Sequence, residues 1–352
     1  MRSMPNPVLI VLTIATVVYG TILMLPAREI RYLPDAELRD YALDHGMYPV
    51  PIDFAEVLKL VNTPENPVTP ARVALGEQLF NDPILSRENT VSCASCHMLD
   101  QGGDDNLPTA VGYHGLKNPS HLNSPTVLNA ALARSQFWDG RARDVEEQAA
   151  GPIQAPFEMN LTPDEAVRKV SAVPAYVKAF SEVFGADGDS VRFGNIQKAI
   201  GAYERTLLTR GDYDRFLLGD DTALTASAKR GMNLFMQKGC KGCHTGTSLG
   251  GQSIQRFPLH NPPTEVFRTE PFPFPNEGGF LGKDDRKFFR VPILRNITRT
   301  APYFHNGMVE ELEEAIRIMS KYQLGKEFTP EQIKDVVEFF KSLEGEIVLY
   351  ET

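Results

Sequence analysis

The stretch Ser92–Asp100, SCASCHMLD, contains two cysteines and a histidine in the order C-x-x-C-H. The chain of 352 residues has only four cysteines, and the other two form the same pattern in GCKGCHTG, at 239–246. Every cysteine therefore belongs to one of two copies of a single motif. The copies are Cys93, Cys96 and His97, and Cys240, Cys243 and His244.

Each copy follows the same short phrase, G-x-x-L-F, which is GEQLF at 76–80 and GMNLF at 231–235. The first phrase lies in a predicted helix that begins at the N-cap Thr69 with Pro70 in its first position, and a second helix of the same character begins near Thr225. Such internal similarity indicates duplicated modules. We predict one module at 69–211 and another at 212–352.

The rest of the chain favours a mainly α fold. Two capping boxes, TPDE from Thr162 and TPEQ from Thr329, mark helix starts, and the second precedes an apolar helical face. Residues 191–208 are typical of a long helix that closes the first module, whereas 257–279 form a loop rich in proline and glycine. No segment shows the alternating pattern of a convincing strand.

Composition and charge exclude several classes of protein. Apolar residues make up 42% and charged residues 23%, values close to those of globular proteins. The net charge of -9 is spread along the chain, and no cluster of lysine and arginine is present. We therefore expect no nucleic-acid partner.

The N-terminus carries an uncharged apolar run at 8–25, between Arg2 and Arg28. Its length fits either an apolar helix that anchors the chain in a membrane or a cleaved secretory signal, and we assign 1–28 to this anchor or signal segment. Both interpretations export the remaining chain, which predicts a periplasmic protein that an uncleaved segment would attach to the inner membrane. Residues 29–68 are predicted to be a linker with one short helix, Phe54–Val61.

The duplicated C-x-x-C-H motif points to covalently bound haem. Two cysteines three positions apart could also form a redox disulfide or supply half of a zinc site. The histidine directly after the second cysteine favours haem c, because it is placed to bind the iron below the ring. Each pair also has its own histidine and its own preceding helix, so the sequence predicts two haem c groups in two cytochrome c-like domains.

Function then depends on the other axial ligand of each iron. A methionine closes the iron and raises its reduction potential, whereas a removable ligand opens it to substrate. Met319 follows Leu312, Ala315 and Ile316 on one helical stripe, and periodicity alone favours a core residue there. His114 and His121 lie on a loop rich in glycine, asparagine and proline, where a mobile segment over a haem is expected.

Two longer stretches carry a resemblance to a known family. The first is NSPTVLNAALARSQFWDGRARDVEEQAAGPIQAPFEM, at 123–159, and the second is APYFHNGMVEELEEAIRIM, at 301–319. In this order around two C-x-x-C-H motifs, they closely resemble the bacterial di-haem cytochrome c peroxidases. The resemblance extends from about Thr69 to Leu343.

The resemblance implies a different task for each haem. The C-terminal haem would accept electrons with His244 and Met319 as ligands, and the N-terminal haem would reduce peroxide with His97 as its fixed ligand. His114, or alternatively His121, would be the ligand that leaves on activation. Trp138 would lie between the haems, and Gln148 and Glu158 would be the catalytic pair.

Further implied properties concern ions and partners. A calcium ion between the domains would be bound by Asn123, Thr300 and Pro302, through one side chain and backbone carbonyls. A small cytochrome c or a cupredoxin would donate electrons, and the chain would form a homodimer.

The resemblance therefore implies a di-haem cytochrome c peroxidase in which Glu158 would relay a proton during cleavage of the O–O bond. Two alternatives remain open at this point. One is a non-catalytic electron-transfer protein in which both irons keep six ligands. The other is a related enzyme that oxidises a protein substrate, although those relatives have tyrosine at the position of Met319.

Overall fold

The computed structural model of the chain describes residues 30–186, 189–260, 282–284 and 286–348. Within these ranges the architecture is mainly helical, as predicted. The α-helices are α1 (Asp35–Asp44), α2 (Phe54–Val61), α3 (Pro70–Asn81), α4 (Val145–Gln154), α5 (Pro163–Ser171), α6 (Pro174–Phe184), α7 (Phe193–Glu204), α8 (Asp212–Leu217), α9 (Ala226–Lys238), α10 (Leu312–Ile318) and α11 (Pro330–Lys341). Two antiparallel pairs of three-residue strands are present, β1 (Thr209–Gly211) with β4 (Gly345–Ile347), and β2 (Ile254–Arg256) with β3 (Phe288–Arg290).

The predicted apolar helix at 8–25 lies outside the described residues. Among the residues that the structure does describe, no helix combines the length and the apolar character needed to cross a bilayer. A compact unit begins at Leu33, so it includes most of the predicted linker. Helix α1 buries Leu38 and Ala42 completely, which shows that this part of the chain is packed structure.

In the first half of the chain, α3 packs closely on α7. Thr69 caps α3, since its side chain accepts a hydrogen bond from the backbone N–H of Arg72. A Cβ atom added to Gly76 would come within 1.9 Å of the Ala199 carbonyl oxygen, so only glycine permits this helix contact. Phe80 is fully buried, and its ring centroid lies 5.2 Å from that of Tyr203.

The second half repeats this arrangement with α9 and α11. A Cβ atom on Gly231 would come within 1.9 Å of the Asp335 carbonyl oxygen. Phe235 is 1% exposed, and its ring lies 5.3 Å from that of Phe339. The repeated phrase G-x-x-L-F therefore has one physical meaning in both copies, namely a close helix crossing followed by core residues that lead into the C-x-x-C-H turn.

The region around the predicted boundary at 211 joins distant parts of the chain. Strand β1 pairs with β4 near the C-terminus. Just beyond it, Asp214 accepts two hydrogen bonds from Arg295, at 2.7 and 2.8 Å, and neither side chain is exposed. The same carboxylate accepts a hydrogen bond at 2.7 Å from the backbone N–H of Val50. This buried pair holds the lead-in segment and the second half of the chain together.

Candidate functional site

The two C-x-x-C-H motifs have the same local geometry. In each, the backbone N–H of the histidine donates to the carbonyl of the first cysteine at 3.0 Å. The Nδ1 atom of His97 lies 3.3 Å from the Gly103 carbonyl, and that of His244 lies 3.1 Å from the Leu249 carbonyl. A carbonyl can only accept, so Nδ1 carries the proton in both rings. Nε2 is then left with a lone pair for a metal.

Each motif lines a separate cavity. The first cavity, of about 1480 Å³ with its open mouth, is lined by Cys93, Cys96 and His97. The second cavity, of about 1560 Å³ measured in the same way, is lined by Cys240, Cys243 and His244. The two C-x-x-C-H motifs therefore line two different cavities.

These residues fit two haem c groups. Each cavity contains both thiols and the imidazole of one motif, and burial keeps the pKa of His97 below its usual value and lowers that of His244 to about 4. A neutral imidazole is the form that binds a metal. A zinc site shared by the two motifs does not form, since nowhere in the described part of the chain do three His, Cys, Asp or Glu side chains converge to hold a metal ion.

The second cavity is lined by a thioether as well as by the histidine of the motif. Helix α10 ends at Ile318, and Met319 begins a wider turn that extends to Gln323. Met319 lines the same cavity as His244, and so do the other three members of its stripe, Leu312, Ala315 and Ile316. The stripe that periodicity indicated is therefore the wall of this cavity.

The first cavity is lined by an acid and an amide as well as by the histidine of the motif. Glu158 and Gln148 both line it, Gln148 from α4 and Glu158 from the turn that follows this helix. Burial raises the pKa of Glu158 from 4.5 to about 7, and the positive charge of Arg141 partly opposes this rise. A carboxyl group with a pKa near 7 can both take up and release a proton at neutral pH.

The two loop histidines lie outside the first cavity. The Nε2 atom of His114 is 2.8 Å from a carboxylate oxygen of Glu88, and the imidazole is 53% exposed. His121 is also exposed, and both residues have left-handed backbone angles, with φ of 55° and 51°. The loop is nevertheless bonded to a residue of the first cavity, because the backbone N–H of Tyr113 donates to the Glu158 carbonyl at 2.8 Å.

Trp138 lies at the wall between the cavities and lines both of them. Its indole N–H donates to the Asn123 carbonyl at 2.9 Å, and its own carbonyl accepts from the backbone N–H of Arg290 at 2.7 Å. The side chain is 8% exposed. These bonds fix the ring where the two chambers meet.

The three residues expected to bind calcium line the second cavity together. The Asn123 amide nitrogen donates to the Leu107 carbonyl at 3.0 Å, which leaves the amide oxygen for another partner. The 299–302 segment is held nearby, since Asn106 donates to the carbonyls of Arg299 and Ala301 at 2.7 and 3.1 Å. Oxygen atoms of this kind are suitable ligands for a hard cation.

Four charged residues that line the cavities were not singled out from the sequence. Arg141, Glu204 and Arg290 line the first cavity, and Arg290 also lines the second. Asp104 lines the second cavity, and burial with the neighbouring Asp105 raises its pKa to about 8. Nothing in the local pattern around these residues separates them from surface charges, because their positions depend on contacts across the fold.

A mainly helical chain with a duplicated haem-binding turn and two separate cavities defines a di-haem c-type protein. More particularly, the chain belongs to the di-haem cytochrome c peroxidase family, whose family model matches residues 70–222. It is 44% identical to the cytochrome c551 peroxidase of Pseudomonas aeruginosa, over 79% of this chain and 80% of the relative. It is 42% identical to the cytochrome c551 peroxidase of Nitrosomonas europaea, over 81% of this chain and 82% of the relative.

The fold also matches a solved structure. A crystal structure of a MauG-like protein associated with microbial copper homeostasis superimposes with a TM-score of 0.70 and 25% identity, and the match covers 92% of this chain and 95% of that one. The similarity includes regions on both sides of the two haem motifs.

Proposed function

We propose that the chain reduces hydrogen peroxide to water in the periplasm, with two electrons from a small cytochrome c or a cupredoxin. The observation that carries this proposal is the different lining of the two cavities. Glu158 and Gln148 share the first cavity with His97, whereas Met319 shares the second with His244. A proton-transferring acid suits a substrate site, and a thioether suits an electron-accepting site.

The second cavity is the proposed entry point for electrons. Met319 and His244 would hold the haem iron, and a thioether ligand of this kind would close the site to substrate and raise its potential. Trp138 lies between this chamber and the first one and is held by hydrogen bonds at its indole N–H and its carbonyl. It therefore provides a fixed aromatic group along the direction in which electrons would move.

The first cavity is the proposed site of peroxide reduction. The bound haem supplies the iron that exchanges electrons with peroxide. Glu158 takes the proton from the inner peroxide oxygen and returns it to the outer oxygen, which leaves as water, while Gln148 donates a hydrogen bond that orients peroxide. The whole reaction consumes one peroxide, two electrons and two protons and yields two waters.

His114 is the proposed ligand that must leave the first site before peroxide binds. Its position beside Glu88, away from the first cavity, supports a loop that can carry the imidazole away from the site. His121 is the second candidate, on the same loop. The bond from Tyr113 to the Glu158 carbonyl gives a direct link between loop position and the catalytic acid.

Calcium is proposed at Asn123, Thr300 and Pro302. This proposal is supported by two observations: the three residues line one cavity, and the Asn123 amide nitrogen, not its oxygen, makes the bond to the Leu107 carbonyl. A cation there would bind residues from both halves of the chain. It would therefore link the position of the loop that carries His114 and His121 to the second cavity. Homodimer formation and attachment to the inner membrane through 8–25 are proposed from the resemblance and the sequence.

Replacing Glu158 with glutamine tests the proposal. The variant should lose roughly 10²- to 10⁴-fold in peroxide turnover, because general acid–base catalysis contributes about that much, while its haem spectra stay unchanged. Glu147→Gln is the matched control, since this side chain is on α4 beside Gln148 but is 46% exposed and pairs with Arg143 at the surface. Full turnover in Glu158→Gln would refute the catalytic assignment.

The same experiment separates the peroxidase from a pure electron-transfer protein. In an electron-transfer protein, Glu158→Gln would leave electron passage between the haems unchanged, and no peroxide would be consumed by the parent chain. An enzyme that oxidises a protein substrate is disfavoured by Met319, which lines the second cavity where those relatives have tyrosine.

A further inference from the structure

Arg290 is a buried cation that has no counter-charge among the residues that the structure describes. It is 4% exposed, and its Nη1 atom is buried with no hydrogen-bond partner among those residues. Among the described residues, no carboxylate lies within 4.0 Å of its guanidinium, and burial alone lowers its pKa, to about 10. The group is therefore still charged at neutral pH.

Burying a charge without a partner of opposite sign is energetically unfavourable in a protein interior. A buried charge costs several kcal/mol unless a partner of opposite sign and further hydrogen bonds offset the lost hydration. The other buried arginine of this region, Arg295, follows that rule, because Asp214 accepts two of its hydrogen bonds. Arg290 departs from it, which indicates that its partner is a group other than an amino-acid side chain of the described chain.

The position of Arg290 limits what that partner can be. The residue ends β3 and lines both cavities, at the wall that also contains Trp138. Its Nε atom donates to the Phe137 carbonyl at 3.1 Å, and its backbone N–H donates to the Trp138 carbonyl at 2.7 Å. These two bonds hold the base of the side chain and leave Nη1 for a ligand inside a cavity.

We propose that Arg290 binds a carboxylate of a bound haem at the wall between the two cavities, and that it thereby positions both that carboxylate and the Phe137–Trp138 turn. Haem carries two propionate groups, which are the only anions that the cofactor itself brings into the chamber. A guanidinium suits this task, because its planar fork can donate to a carboxylate while other N–H groups keep their backbone acceptors. The proposal rests on the two-haem cofactor and does not require peroxide reduction.

Pairing of Arg290 with a propionate should raise the reduction potential of that haem. An arginine that neutralises a propionate makes the addition of an electron to the same haem easier, since less negative charge surrounds the iron. Loss of the guanidinium should therefore lower the midpoint potential of at least one haem. We expect a change of about tenfold in the one-electron equilibrium, which corresponds to about 59 mV.

Two variants and one control test the proposal on haem-loaded protein. Arg290→Met removes the charge and keeps an unbranched apolar side chain. Arg290→Lys keeps the charge but cannot reproduce the fork. Arg256→Met is the control, because Arg256 lies on the paired strand β2, is exposed and lines neither cavity. Haem content per chain is measured first, and then the midpoint potentials and the propionate bending band in resonance Raman spectra of the resting protein.

Arg290→Met should lower a potential and shift the propionate band, Arg290→Lys should shift the band with a smaller change in potential, and Arg256→Met should change neither. An unchanged propionate band in Arg290→Lys overturns the proposal, even if Arg290→Met does not retain both haems. An unchanged band and unchanged potentials in a fully loaded Arg290→Met protein overturn it equally. Peroxidase activity is measured separately, so that an inactive parent chain with these spectral shifts would refute the proposed function and leave the role of Arg290 intact.

Discussion

The charge of Arg141 should set the pH at which the peroxide site works. Glu158 has a pKa raised to about 7 by burial, and Arg141 lowers it from the still higher value that burial alone would give. The proton-accepting form of Glu158 is the carboxylate, so turnover should fall as pH falls through this pKa. Replacing Arg141 with glutamine removes the favourable charge and should move the inflection to higher pH.

The solvent exposure of Arg141 limits how far the pKa of Glu158 should move. Arg141 has a side chain that is 43% exposed, so its effect is screened by water, and we expect a shift of roughly 0.3 to 1 pH unit. At pH 7 the ionised fraction of Glu158 would then fall from about a half to between about a third and a tenth. Turnover at pH 7 should fall roughly 1.5- to 5-fold, while turnover well above pH 8 should be unchanged.

The assay is the pH profile of kcat/KM for peroxide at a saturating concentration of reduced donor. Arg143→Gln is the control, because Arg143 is 81% exposed and does not line the first cavity. An inflection that stays in place in Arg141→Gln, or that moves to lower pH, would show that Glu158 is not the titrating base. A profile that moves equally in both variants would indicate a general effect of net charge.

Further predictions concern the second site, the fold and the cation. Met319→Ala should lower the midpoint potential of the haem in the second cavity and abolish its long-wavelength thioether-to-iron absorption band; an unchanged band would exclude Met319 as a ligand. Gly231→Ala should reduce the free energy of unfolding by about 1 to 3 kcal/mol in denaturant titrations, since the Asp335 carbonyl must move, whereas Gly194→Ala has no atom within 4 Å of the new Cβ and should not be destabilised. Chelator-treated protein should bind one calcium in calorimetry, and Asn123→Ala should weaken that binding at least tenfold; equal heats for the two proteins would contradict the proposed site.

Several properties of this protein follow from the sequence by itself. The repeated C-x-x-C-H motif predicts two covalent haems, because the chemistry resides in residues only a few positions apart. The capping boxes at Thr162 and Thr329 mark the starts of α5 and α11, where both reciprocal pairs of hydrogen bonds are formed. Local interactions of this kind depend on neighbours along the chain and are therefore visible without a fold.

Other properties were decided only by tertiary structure. Periodicity alone favoured Met319 as a core residue, and only the packing of α10 puts it in the lining of the cavity that His244 also lines. The glycines of the repeated phrase could be recognised but not explained until α3 met α7 and α9 met α11. Arg290 carries no local signal at all, because the Phe137 and Trp138 carbonyls that hold it lie about 150 residues earlier in the chain. Burial, desolvation and long-range hydrogen bonds are properties of the packed chain, so the charged residues that tune both cavities emerge only when the fold brings their partners together.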